Sequence, residues 1–127
     1  MSATARAIEL AQVAGRAAST KLAHDIVAFD VSGMLAITDV FLIATATNER
    51  QAGAIVDAVD EALLPLGVKT VGREGERDDL WVLLDYGDLV VHVQQPDERQ
   101  LYSLERLWKD APRIPLNLDD APTREAA

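Results

Sequence analysis

Cysteine is absent from the chain, which removes disulfide frameworks and thiolate metal sites from consideration and gives no reason to expect an oxidising compartment. Aromatic residues are scarce, with two Trp, two Tyr and two Phe, so the position of each one carries weight. Basic residues are outnumbered: 12 Lys and Arg against 21 Asp and Glu leave a formal charge of −9. That is the wrong sign for a protein whose affinity comes from neutralising phosphates, so direct DNA binding is disfavoured. An acidic surface suits a basic partner, although solubility alone also selects for net charge. No apolar run approaches the roughly 18 residues of a membrane span, and Arg6, Glu9 and Arg16 interrupt the alanine-rich start where a signal peptide would need its apolar stretch. The cytoplasm is the expected location.

What is present is enough for one core. The 127 residues are 49% apolar, and the breakers fall singly between periodic segments, with no repeat and no linker. The spacing of Ile8, Ala11, Ala14, Ala18 and Leu22 predicts a helix over Thr4 to Leu22. Asp25 to Val31 and Asp39 to Ala46 are rich in Val, Ile, Phe and Thr and are expected as neighbouring strands. Asn48 with Gln51 resembles a capping box opening a helix whose buried side carries Ala52, Ile55, Val56, Val59 and Leu63, stopped by Pro65 and Gly67. Val68 to Gly72 reads as a short strand, and residues 73–79 as a charged loop in which Asp78 and Asp79 are a solvated pair. A last helix is expected from Pro96, with Leu101, Leu104, Leu107 and Trp108 apolar and Arg99 on the wet side, ended by Pro112 and Pro115. These limits give a domain over 1–113 and a flexible tail over 114–127.

The most informative stretch is Trp81 to Gln94. Two alternating runs flank Gly87-Asp88, and a glycine at the first central position suits a type II′ hairpin turn. With Tyr86 facing Leu89, Leu84 faces Val91 and Val82 faces Val93, which puts all six on one apolar side. The other side carries Trp81, Leu83, Asp85, Val90, His92 and Gln94, and that mixed face is where function is expected.

Two catalytic constellations fail on these residues. Asp85 lies diagonally across the hairpin from His92, close enough to orient the imidazole, but the nearest hydroxyls in sequence, Ser32 and Ser103, sit in no strained nucleophile turn. A structural or interface histidine held by Asp85 is the expected role. Asp85 and Asp88 are a candidate metal pair, but the register separates them, one on the ribbon and one in the turn. Gly72, Gly75 and Gly87 have no phosphate-loop spacing, so no cofactor is expected. Trp81 shares its face with polar groups and is a candidate contact, while Trp108 sits among leucines and reads as core.

The run Trp81-Val-Leu-Leu-Asp-Tyr-Gly-Asp-Leu-Val-Val-His-Val93, followed by Tyr102-Ser-Leu-Glu-Arg-Leu-Trp108, resembles the signature of the RsfS/Iojap family of ribosomal silencing factors. Asp25-Ile-Val-Ala-Phe-Asp-Val-Ser-Gly33, Thr38-Asp-Val-Phe-Leu-Ile-Ala44 and Thr47-Asn-Glu-Arg-Gln51 resemble its other blocks. The resemblance covers roughly residues 5–112. It implies an α/β fold, a mixed β-sheet flanked by helices, related to the nucleotidyltransferase fold without its catalytic carboxylates. It also implies a protein that is not an enzyme: one that binds ribosomal protein L fourteen on the large ribosomal subunit, blocks joining of the small subunit when nutrients are scarce, and forms a homodimer when free. Carried over by motif, the contact surface takes Glu74, Gly75, Trp81, Asp85, Tyr86, Gly87, Asp88 and His92. Gln94-Gln95 departs from relatives that place an aromatic residue or methionine there. The alternatives are a nucleotidyltransferase-like enzyme and a dimeric scaffold with other partners.

Overall fold

A computed structural model describes residues 2–75 and 80–118. The expectation for Asp78 and Asp79 and the end of the expected tail lie outside the described residues. The elements in chain order are α1 (Ala5–Thr20), β1 (His24–Asp30), β2 (Val40–Thr45), α2 (Glu49–Leu63) with a 3-10 turn (Leu64–Leu66), β3 (Gly72–Glu74), β4 (Trp81–Asp85), β5 (Leu89–Gln94), α3 (Pro96–Tyr102) and α4 (Leu104–Leu107). The strands form one mixed sheet in the order β1-β2-β5-β4-β3, antiparallel except where β2 runs parallel to β5.

Helices α1 and α2 cover one face. The Thr4 hydroxyl caps α1 by accepting from Ala7 N at 3.1 Å, and the helix buries Ala7, Leu10, Ala11, Ala14 and Ala18. Side chains this small let helix and sheet approach closely. Leu22, expected to continue the stripe, is instead 65% exposed with φ +65°. It occupies the left-handed position after the helix, where its N–H donates to Ser19 O and the Ala23 N–H to Ala18 O, the paired bonds of a Schellman stop. In α2, Asn48 Oδ1 accepts from Gln51 N at 2.8 Å, and Gln51 Oε1 reaches back to Thr47 N rather than to the cap residue itself.

The hairpin register is the one the alternation predicts, with Val82 opposite Val93, Leu84 opposite Val91 and the Tyr86 N–H donating to Leu89 O. Gly87 has φ +90° and Asp88 is not left-handed, as a type II′ turn requires. All six inward residues join the core with α1 and α2.

Three expectations need correction. The strand before the hairpin is Gly72–Glu74, not Val68 to Gly72: β3 takes its place by pairing with β4, so residues 73 and 74 leave the expected loop. The last helix is two short ones, broken at Ser103 with φ +44°. Its polarity is turned over, because Arg99 is buried while Leu101 and Leu107 are exposed. Inside, the Arg99 guanidinium forms paired bonds to Glu105 at 2.7 and 3.1 Å and donates to Thr45 Oγ1 at 2.7 Å. Finally, packed chain continues past residue 113: Pro112 O accepts from Asp30 N, Ile114 N donates to Ala28 O, and Ile114 and Leu116 are buried, with Leu116 against Gly15 of α1.

Candidate functional site

The outer face of the hairpin, where function was expected, is only partly open. Phe29, Val31, Ile43, Leu104 and Ala111 form a second, smaller core there, with Phe41, Trp81 and Trp108 packed against it. On this face Val90, His92 and Gln94 are all buried, whereas the β4 residues Trp81, Leu83 and Asp85 are partly exposed.

At one end of β4 stands an aromatic series. Tyr102 lies 4.8 Å from the Trp81 ring, Trp81 6.0 Å from His92, His92 4.8 Å from Phe41 and Phe41 5.5 Å from Trp108. The Trp81 indole donates through Nε1 to His92 Nδ1 at 3.1 Å. His92 is therefore neutral with its proton on Nε2, an atom that is buried and has no hydrogen-bond partner among the described residues. Burial pushes its pKa down to about 4, since an imidazolium there would lose its hydration without a compensating charge. The histidine held by Asp85 does not form. Of the two residues diagonal to His92, Trp81 takes the imidazole and the Asp85 carboxylate turns to its own corner, accepting from Gly87 N at 2.8 Å.

Glu74, Gly75, Trp81 and Leu83 line an open cleft beside this series. Gly75 has φ +82°, and a Cβ there would sit 1.9 Å from the Trp81 carbonyl oxygen, so only glycine lets the loop pass so close to β4. Its place among the motif residues thus has a backbone cause.

The remaining motif residues lie at the far end of the hairpin, about 14 Å from Trp81 at strand rise. Asp85, Gly87 and Asp88 build the turn, whose Asp88 carbonyl accepts from Asp39 N and Val40 N and so ties it to β2. Tyr86 is buried and donates its hydroxyl to Asp60 Oδ1 at 3.0 Å, and burial together with that carboxylate raises its pKa. The eight residues therefore do not make one patch. Glu74, Gly75 and Trp81 share a surface that His92 supports from below, whereas Asp85, Tyr86, Gly87 and Asp88 shape the turn.

The structure adds residues that pattern reading did not place at the site. Leu80 and Tyr102 are 40% and 50% exposed, and Tyr102 meets Trp81 only because α3 folds back over the hairpin. Tyr102 does begin the second signature run, which was the available signal. Among the described residues no group of three or more His, Asp or Glu is placed to hold a metal ion, and no helix is long and apolar enough to cross a membrane.

Comparison with known proteins gives this geometry a family. The model of the family described as "Ribosomal silencing factor during starvation" matches residues 4–127. Ribosomal silencing factor RsfS of Halalkalibacterium halodurans is 41% identical over 85% of this chain and 92% of its own length. RsfS of Bacillus subtilis is 39% identical over 84% and 90%. A crystal structure of a Chromobacterium violaceum protein superposes with a TM-score of 0.76 at 36% identity, covering 80% of this chain and 84% of that one. With its sheet, its hairpin and most of its length matched in this way, the chain belongs to the RsfS family of ribosomal silencing factors.

Proposed function

We propose that this protein silences ribosomes by occupancy: it docks on the large ribosomal subunit through ribosomal protein L fourteen, keeps the small subunit from joining, and represses translation under nutrient limitation. The observation that carries the reading is the surface around Trp81 in a chain of this family. A partly exposed indole is flanked by exposed Leu80 and Tyr102, with the Glu74 carboxylate at the margin. Aromatic anchors ringed by polar groups are where binding energy concentrates, and net charge of −9 favours encounter with a basic ribosomal protein. No chemistry is required, because blocking follows from position alone. Within the motif, Glu74, Gly75 and Trp81 are the residues we assign to the contact or its margin, while His92 and Tyr86 act from inside the fold and Asp85, Gly87 and Asp88 shape the turn. A homodimer of the free protein is part of the same reading and uses no residue argued above.

Sedimentation tests the proposal. Tagged protein in a lysate is expected to travel with free large subunits and to be missing from joined ribosomes. Trp81→Ala is expected to keep its circular dichroism and lose large-subunit binding by about 2 kcal/mol or more, the range of an aromatic hot spot. Undiminished co-sedimentation of that variant would remove the assignment.

A further inference from the structure

We infer that His92 is a positioning residue: by accepting the indole N–H it holds Trp81 in one orientation at the docking surface. The functional half of this inference rests on the reading proposed above, whereas the geometry stands by itself.

Trp81 opens β4 and is only partly buried, and it packs beside the exposed Tyr102 of the short, broken α3–α4 segment. Such packing leaves a large ring several orientations of similar energy. An indole has a single N–H, and fixing it fixes the ring. The acceptor that does so, His92 Nδ1, is itself immobile. The imidazole is 4% exposed, sits on the central strand β5, and is braced edge-on by Phe41 of β2, which Trp108 backs in turn.

Among the described residues no charged group competes for His92. On β4, Asp85 is bonded to Gly87 N; on the cover, Arg99 is bonded to both Glu105 and Thr45. Its Nε2 bonds to no described residue, so the only hydrogen bond this buried side chain makes among them is the one to Trp81. A histidine kept for packing alone would be better replaced by an apolar ring, which carries no unsatisfied N–H. The cost is explicable if the Nδ1 acceptor is what the site needs: a ring oriented in advance binds more tightly because less freedom is lost on docking.

The test uses the full-length protein and starts without mutation. Nitrogen-15 shifts of the wild-type imidazole report which nitrogen carries the proton: Nε2–H is expected, and Nδ1–H would overturn the inference. Next come the two indole N–H resonances, assigned with Trp108→Phe. In His92→Phe the Trp81 indole proton is expected to shift and to exchange with solvent faster, with the fold intact by thermal melting. Binding to purified large subunits should fall about five-fold, the worth of one neutral hydrogen bond. His92→Asn, which restores an acceptor, should recover part of both readouts. An indole signal in His92→Phe identical to wild type overturns the positioning role. If instead the indole responds as expected while Trp81→Ala still binds large subunits fully, positioning is upheld and the ribosomal reading of this surface falls.

Discussion

The two faces of the sheet are built on different principles. Against α1 and α2, every inward side chain of the hairpin is apolar or, in Tyr86, finds a partner for its one polar atom, and small alanines let the layers close. Against α3 and α4, the layer mixes rings, an ion pair and amides, and leaves His92 Nε2, both amide atoms of Gln94 and Trp108 Nε1 buried without a described partner. The first face stabilises through area removed from water, and the second gives up some stability to hold Trp81 at the surface.

Core truncation should expose this difference most strongly. Leu84→Ala on the inner face is expected to cost about 3 kcal/mol in urea unfolding, since Leu84 is fully buried, whereas Leu107→Ala on the outer cover should change stability by less than about 0.5 kcal/mol. Equal losses would mean that the outer cover packs as firmly as the core.

Acid is a probe of similar size, and among the described residues the outer face carries the buried group that responds to it. His92 takes a proton near pH 6.5 when unfolded and near 4 when folded, so the unfolded chain binds more protons between these values. Its contribution is whole above pH 6.5 and falls by about 3 kcal/mol as pH drops towards 4. In His92→Phe that part of the pH dependence of unfolding should disappear.

Smaller still is the ion pair of the cover. Glu105→Ala leaves the buried Arg99 with Thr45 alone and should lower stability by about 2 kcal/mol, chiefly by loosening α3 and α4, which amide exchange over residues 96–107 would register. The least effect is expected on the inner side, at its margin. Leu22→Gly relieves a left-handed leucine at the end of α1 and should raise stability by up to about 1 kcal/mol.

The same contrast explains what was legible in the sequence. The inner face could be read because a period of two in Val82, Leu84, Val91 and Val93, with a two-residue turn, allows one register. The outer face could not. Which diagonal neighbour His92 accepts from depends on sheet twist and side-chain direction, to which residue spacing is blind. Arg99 looked like a wet residue because its partners, Thr45 and Glu105, are brought together only by the fold. Gly72–Glu74 has poor strand composition and pairs because β4 offers an edge; the Val71 N–H also donates to Asp85 O of that edge, while the Val68 N–H donates back to Leu63 O at the end of α2. The signature run marked the hairpin, but the residues carried over with it mix partly exposed ones, such as Trp81, with others, such as Gly75 and Tyr86, whose backbone or buried hydroxyl shapes the chain.

The parallel pairing of β2 with β5 also sets the order of events during synthesis. Val40 must wait for Leu89, about fifty residues later, before its strand is paired on both sides. Until then the β1–β2 ribbon presents an unpaired, largely apolar edge, which invites association with other chains. The hairpin that carries Trp81 is thus the piece that closes the sheet, and a chain cut short before it would lose the proposed docking surface and the means of protecting its own first half together.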